Sequence, residues 1–282
     1  MRKLLSFVAL IFSMLVIGQH KSDLEGTWTL KSYVDHLDGG KSKVYEDHIL
    51  FQKHIAGCHF AWIKYDTREM KLIGMGGGTF QIDENENYIE TLEFFYPFGS
   101  SEHGQSIKFS KEIKGGKWYH SGYVKDLALD NDGELVVVDS MKIEEVWTPF
   151  KSKPKQSELV GTWILQKSRT SKDQDYEEMP EMIDYFRIMT PSHFFSVKFD
   201  AEGDQIYGAV VGTYSLKDGF YNETVQVSYP QNIGQAMSMQ YVREGKIWKY
   251  VGELESSSGT QYVDELWKPH VCRPTMAGMT HD

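Results

Sequence analysis

Cysteine is nearly absent from this chain: Cys58 and Cys272 are its only two among 282 residues. That excludes a disulfide scaffold, so each folding unit has to rely on an apolar core. In an exported chain the two thiols can bridge the halves or remain unpaired, and spacing alone does not choose between them. Long apolar runs are missing beyond the N-terminus, so no later segment is expected to cross a bilayer. An excess of basic residues is missing too. The formal charge of −10 leaves no cationic stripe to displace counterions from a phosphate backbone, which argues against nucleic acid as a partner. No nucleophile elbow or metal triad is present. The run Met75-Gly76-Gly77-Gly78 lies between strand patterns with no helix after it, which makes it a poor phosphate cradle. The acidic Asp130-Asn131-Asp132-Gly133 fails as a calcium loop, because with Gly133 sixth the first position falls on Ala128. No catalytic residue, metal or cofactor is assigned.

What is present begins with a secretory pattern at 1–18: Arg2 and Lys3, an apolar run from Leu4 to Ile17, then Gly18-Gln19. The run is short for a membrane span, and no cysteine lies there to carry a lipid. The expectation is a periplasmic or secreted protein without stable membrane insertion after signal removal.

The remainder is written twice. Leu24-Glu25-Gly26-Thr27-Trp28 returns as Leu159-Val160-Gly161-Thr162-Trp163, and collinear matches follow. They include His59-Phe60 with His193-Phe194, Gly78-Thr79-Phe80 with Gly212-Thr213-Tyr214, Tyr96-Pro97 with Tyr229-Pro230, and Glu145-Val146-Trp147 with Glu265-Leu266-Trp267. A duplicated unit of this length predicts two domains, 24–150 and 159–269, joined by a polar linker at 151–158 and followed by a tail at 270–282. The spacing between matched residues shrinks most between the Trp118/Trp248 and Trp147/Trp267 pairs. The first copy should therefore carry a longer hairpin there, turning at Asp130–Gly133.

Period-two alternation and closely spaced turn signals predict an all-β protein built of antiparallel sandwiches or closed barrels. On one face, Glu90 falls among Tyr88, Leu92, Phe94 and Tyr96, and Glu223 among Tyr221, Val225, Val227 and Tyr229. His59 opens the apolar face Ala61, Ile63, Tyr65, and His193 opens Phe195, Val197, Phe199. Read as inward-facing, these put a carboxylate inside each unit, where it is costly unless paired or wet. Each Glu either satisfies backbone and tyrosine groups or, with the His, touches the polar end of a ligand. Trp62 has no counterpart in the second copy and lies with Phe60 on the face opposite His59. Core packing, a lining role and cover for an interdomain surface are all open to it.

Gly26-Thr27-Trp28 and Gly161-Thr162-Trp163, each opening a domain, resemble the first-strand Gly-x-Trp of the calycins, the lipocalin and fatty-acid-binding barrels. The wider pattern His59-Phe60-Ala61-Trp62, Tyr65-Asp66, Gly76-Gly77-Gly78-Thr79-Phe80, Tyr88-x-Glu90, Trp118–Gly122 and Glu145-Val146-Trp147 is similar to a family of exported bacterial lipocalin-like domains. The resemblance implies two tandem antiparallel lipocalin-like β-barrels, each plugged by its first-strand Trp and able to hold a small hydrophobic molecule. The contacts it suggests are His59, Tyr65, Glu90 and Phe94 in the first barrel and His193, Phe199, Glu223 and Val227 in the second. The three glycines and Ala61 favour the first barrel as the roomier one. Departures are Lys268 as the basic partner for Trp163 with Thr148 at the matching place in the first copy, and Val210-Val211 and Phe195-Ser196 where the first copy has Gly76-Gly77 and Ala61-Trp62. Other readings are a barrel enzyme or haem protein using the His/Glu pair, and a structural or adhesion module with filled barrels.

Overall fold

The computed structural model describes residues 23–36, 40–97, 104–129, 135–150, 157–200, 205–230, 236–256 and 259–271. The expected signal at 1–18, the turn at 130–133, most of the linker and Cys272 with the tail after it lie outside the described residues. Cys58 is disulfide-bonded.

Every element described is a strand. In the first copy these are β1 (Gly26–Asp35), β2 (Lys41–Lys43), β3 (Ile49–Ala56), β4 (His59–Asp66), β5 (Lys71–Ile82), β6 (Tyr88–Tyr96), β7 (Ser106–Lys114), β8 (Lys117–Leu129) and β9 (Leu135–Pro149). In the second they are β10 (Gly161–Arg169), β11 (Glu177–Glu178), β12 (Ile183–Met189), β13 (His193–Asp200), β14 (Ile206–Lys217), β15 (Phe220–Tyr229), β16 (Ala236–Glu244), β17 (Ile247–Ser256) and β18 (Gly259–Pro269). Neighbours pair antiparallel in sequence order, with β2 and β11 as short additions. The sheets then shut on themselves, β1 against β9 with Leu30 opposite Trp147 and β10 against β18 with Leu165 opposite Trp267. The result is two closed eight-stranded barrels in tandem, which removes the exposed edges of an open sheet. The longer hairpin of the first copy is β8–β9, of 13 and 15 residues against 10 and 11 for β17–β18.

Each first-strand tryptophan plugs its barrel the same way. Trp28 Nε1 donates to the Leu24 carbonyl at 2.7 Å and Trp163 Nε1 to that of Leu159 at 2.8 Å. Their rings meet Trp118 and Trp248 edge-on, with centroids 5.7 and 5.6 Å apart. This geometry suits the ring quadrupoles while satisfying the buried indole N–H. Trp163 is also covered by Arg243, whose guanidinium lies 4.3 Å from a ring centroid. Arg243, and not the exposed Lys268, is thus the basic partner of that plug.

Besides one core inside each barrel, a third apolar cluster lies between them. Ala61, Ile63, Tyr65, Met75 and Phe94 of the first barrel interdigitate there with Phe186, Phe195, Val197, Phe199 and Val227 of the second. Tyr96 meets Tyr229, its own repeat counterpart, at 5.3 Å. The threonines of the two Gly-Thr-Trp segments reach across the seam: Thr162 donates to the Ala56 carbonyl at 3.1 Å, and the Thr27 and Thr190 hydroxyls are 2.8 Å apart.

Strands β6 and β15 change face along their length. The register of β5–β6 shifts between Gly77/Gly78 and Phe94/Leu92, and that of β14–β15 between Val211/Gly212 and Val227/Val225. The extra residues, Glu93 and Gln226, are β-bulges, and a one-residue slip sends every later side chain to the opposite face. Tyr88, Glu90 and Leu92 therefore point into the barrel, whereas Phe94 joins the seam. Only glycine fits beneath each bulge, since a Cβ at Gly78 or Gly212 would stand 2.1 Å from the carbonyl oxygen of Thr91 or Thr224. Gly78→Ala and Gly212→Ala are each expected to lose about 2 kcal/mol or more in urea unfolding. Gly74→Ala, whose added methyl meets its nearest neighbours at 3.4 Å, should be tolerated; equal midpoints for all three would contradict the bulge assignment.

Candidate binding site in the first barrel

Strand β3 puts Phe51, Lys53 and Ile55 on its inner face, and β6 puts Glu90 opposite. Lys53 Nζ donates to Glu90 Oε1 at 2.6 Å, with both residues almost fully buried. The ammonium also lies 5.3 to 5.7 Å from the ring centroids of Phe60, Tyr88, Trp118 and Trp147, close enough for cation–π attraction. The second barrel repeats the device with Arg187, whose Nη1 donates to Glu223 Oε1 at 2.7 Å while the Tyr221 hydroxyl donates to the same oxygen at 2.6 Å. Burial and the Glu223 charge drive the Tyr221 phenol well above its usual range.

A second polar pair completes the floor. His120 on β8 faces Glu145 on β9, with Nδ1 and Oε2 3.4 Å apart. Glu145 Oε2 also accepts the Trp147 indole N–H at 3.0 Å. Burial, followed by the Lys53 charge, lowers the His120 pKa although Glu145 and Glu90 oppose it. Burial pushes the Glu145 carboxyl up, but His120, Lys53 and Trp147 together hold it below the ordinary carboxylate range. Neither His120 ring nitrogen completes a hydrogen bond among the described residues.

Above this floor is a cavity of about 230 Å³, with apolar walls that include Phe51, Trp62, Phe95, Phe109, Val124 and Ile143. A larger hollow of about 510 Å³ shares Ile143 and Glu145 with it and is lined by Tyr33 and Tyr45 as well. Tyr33 and Tyr45 stack at 4.5 Å, and Lys64 donates to the Tyr45 hydroxyl at 2.9 Å. Trp62 thus lines the inner cavity. It lies over glycine, since a Cβ at Gly76 would come within 3.0 Å of its ring. The second barrel exchanges both partners together, having Ser196 and Val210 at the paired positions. The triple glycine therefore gives no extra room: Gly76 accommodates Trp62, and Gly77 accommodates Phe94 on the seam side. In the second barrel Tyr185 stands where Phe51 does and Tyr250 where His120 does, and both rings pack against Trp267.

Of the residues expected to contact a ligand, Glu90 lines the cavity and Glu223 lies inside the second barrel, bound to Arg187. The other six do not face the barrel interiors. Tyr65, Phe94, Phe199 and Val227 are in the seam. His59 packs at its edge, 4.3 Å from His270 and 6.1 Å from Phe186, and His193 lies 4.3 Å from Phe150 and 5.9 Å from His54. Both faces of β4 and β13 are buried, so their alternation sorts side chains into two sets without saying which set is inside; the bulges then move Phe94 and Val227 across. His59 and Glu90 consequently occupy opposite sides of the sheet and form no acid–base couple. Lys53, Arg187, His120 and Glu145 were missed as site residues. A cation on the inner register of the same strand in both copies was the available signal for the first two.

No family model matches the chain, and no curated protein does. Among solved structures it is similar to an uncharacterized protein from Saccharomyces cerevisiae, at 11% identity and TM-score 0.46 over 84% of this chain and 96% of that one. It is also similar to a protein of unknown function from the DUF3598 family of Nostoc punctiforme, at 8% identity and TM-score 0.24 over 88% and 96%. An uncharacterized protein from Bacteroides eggerthii matches at 15% identity and TM-score 0.27, covering 38% of this chain and 98% of its own. The fold rests on the strand pairings above and not on these likenesses. It is calycin-like in general architecture. Among the described residues no helix is long and apolar enough to cross a membrane.

Two measurements test these interactions. Glu90→Gln leaves Lys53 buried without a counter-charge and is expected to cost about 3–5 kcal/mol in chemical unfolding, much of it recovered in Lys53→Met/Glu90→Leu; a double variant no better than the single contradicts the pairing. In the seam, burial and then His270 lower His59 to about 3, burial lowers His193 to about 4, and burial and then His193 bring His54 well below its usual value. From about 6.5 down to those values the unfolded chain binds more protons than the folded one, so their contribution is full above about 6.5 and lost on acidification. Glu93, raised to about 7 by burial and then Asp184, opposes this between its usual 4.5 and 7, and Asp184 is raised as well by burial. The three imidazoles facing the seam outweigh these carboxyls. Tm should fall as pH drops from about 6.5 to about 4, less steeply in His59→Phe; a flat profile contradicts the assignment.

Proposed function

We propose that this chain is an exported binding protein whose first barrel holds a small, mostly apolar molecule. The observation that carries the reading is the first-barrel cavity of about 230 Å³, apolar-walled, with a buried polar floor and an adjoining hollow. Convergent polar groups at the end of an apolar pocket are the usual form of a site that orients a small ligand. The volume suits a compact ligand, and the aromatic residues at the hollow would contact any part of it that projects. The second barrel, with Tyr185 and Tyr250 packed on Trp267, is read as a structural partner. Export rests on the secretory pattern at 1–18 and on the resemblance to exported lipocalin-like domains.

The uncharged fluorophore N-phenylnaphthylamine should bind with a stoichiometry of one and gain emission by energy transfer from tryptophan. Ile143→Trp, which fills the cavity, is expected to weaken it about tenfold or more, while Val263→Trp in the second barrel leaves it unchanged. No saturable binding, or a loss confined to Val263→Trp, overturns the reading.

A further inference from the structure

The two barrels make closely similar polar arrangements, but at one position they differ in what reaches the second carboxylate. In the second barrel Glu265 Oε2 accepts a short hydrogen bond from the Tyr250 hydroxyl and another, at 3.0 Å, from Trp267 Nε1. In the first barrel Glu145 keeps the equivalent indole bond, but the phenol is replaced by the shorter imidazole of His120. His120 stands 3.4 Å off, is 2% exposed, lines the cavity, and has no hydrogen-bond partner on either ring nitrogen among the described residues. Glu145 therefore has only a long, incomplete contact where its counterpart receives a short phenol hydrogen bond, at a place that lines the cavity. The charges point the same way. Among the described residues the only cation lining the inner cavity is Lys53, and it is already held by Glu90 at 2.6 Å and surrounded by four aromatic rings. With His120 neutral, the floor carries Glu90, Glu145 and one ammonium, a formal excess of one negative charge. A ligand carboxylate or sulfonate would meet two carboxylates and, among the described residues lining the inner cavity, no cation besides the paired Lys53, which a low-dielectric site makes costly.

Resting on the binding reading above, we infer that the first barrel is selective for apolar molecules bearing a protonated amine, whose N–H groups donate to Glu145 and His120 where Tyr250 closes the second barrel. A neutral hydroxyl can give one such bond without the charge attraction, and an acid can give none.

The test is displacement of N-phenylnaphthylamine from the full chain, near neutral pH, by three molecules sharing one skeleton: naphthylethylamine, naphthylethanol and naphthylacetic acid. The amine is expected to compete about tenfold better than the alcohol and about a hundredfold better than the acid. Glu145→Gln should bring amine and alcohol within about threefold of each other, both affinities being referred to that variant's own affinity for the fluorophore, which separates the headgroup contact from the cavity. His120→Tyr, reproducing the second barrel, should weaken the amine about tenfold. An acid that competes as well as the amine, or an amine preference that survives Glu145→Gln, overturns the inference and leaves the cavity reading standing. A chain that binds neither fluorophore nor amine overturns both.

Discussion

A cation at the centre of a closed barrel requires an anion at contact distance, and both barrels are organised around that requirement. Lys53 with Glu90 and Arg187 with Glu223 lie at equivalent places, boxed by tryptophan and tyrosine faces. Removing either partner strands a charge in a site that water does not reach freely, which is more costly than never having had the pair. The aromatic boxes, the inward bulge-side residues and the polar floor all take their positions from this contact. The same pair has a further electrostatic effect: by neutralising the inner cation within the protein, it leaves the neighbouring carboxylate, Glu145 or Glu265, to set the local polarity. Whether that carboxylate is satisfied by the protein then depends on one aromatic residue, His120 or Tyr250.

The seam depends on a different constraint. Strands β3, β4, β12 and β13 have long stretches buried on both faces, one against the barrel interior and one against the other barrel. A wall of this kind needs apolar side chains on both registers, and the bulges at Glu93 and Gln226 let a single strand serve the interior at one end and the seam at the other. The imidazoles trapped there are the cost in titratable groups of closing a duplicated surface on itself.

Much of the fold was legible in the sequence because duplication repeats every signal. The two Gly-Thr-Trp segments, the paired tryptophans and the alternating strands indicate two antiparallel barrels, and the shrinking spacing located the longer β8–β9 hairpin. The site was less legible for definable reasons. Alternation gives relative faces only, and for β4 and β13 hydrophobicity cannot name the inner one when both are covered. A bulge is one uncounted residue, so Phe94 and Val227 read as companions of Glu90 and Glu223 although they point away from them. The shared position of Lys53 and Arg187 in the two copies becomes informative only when the inner register is known. Trp62 illustrates the converse case: its lack of a counterpart was visible, but its dependence on Gly76, and the joint exchange to Ser196 and Val210, required the pairing of β4 with β5.

Tyr96 and Tyr229 are the same residue in the two copies, and they touch. A residue can meet its own counterpart only where a two-fold axis passes, and the crossed contacts of His59 with His270 and His193 with Phe150 lie about the same axis. The seam thus has the self-complementary form of an isologous subunit interface. In those terms the chain has the geometry of a homodimer whose two protomers share one polypeptide, so the copies need not be identical, and His120 stands in one where Tyr250 stands in the other.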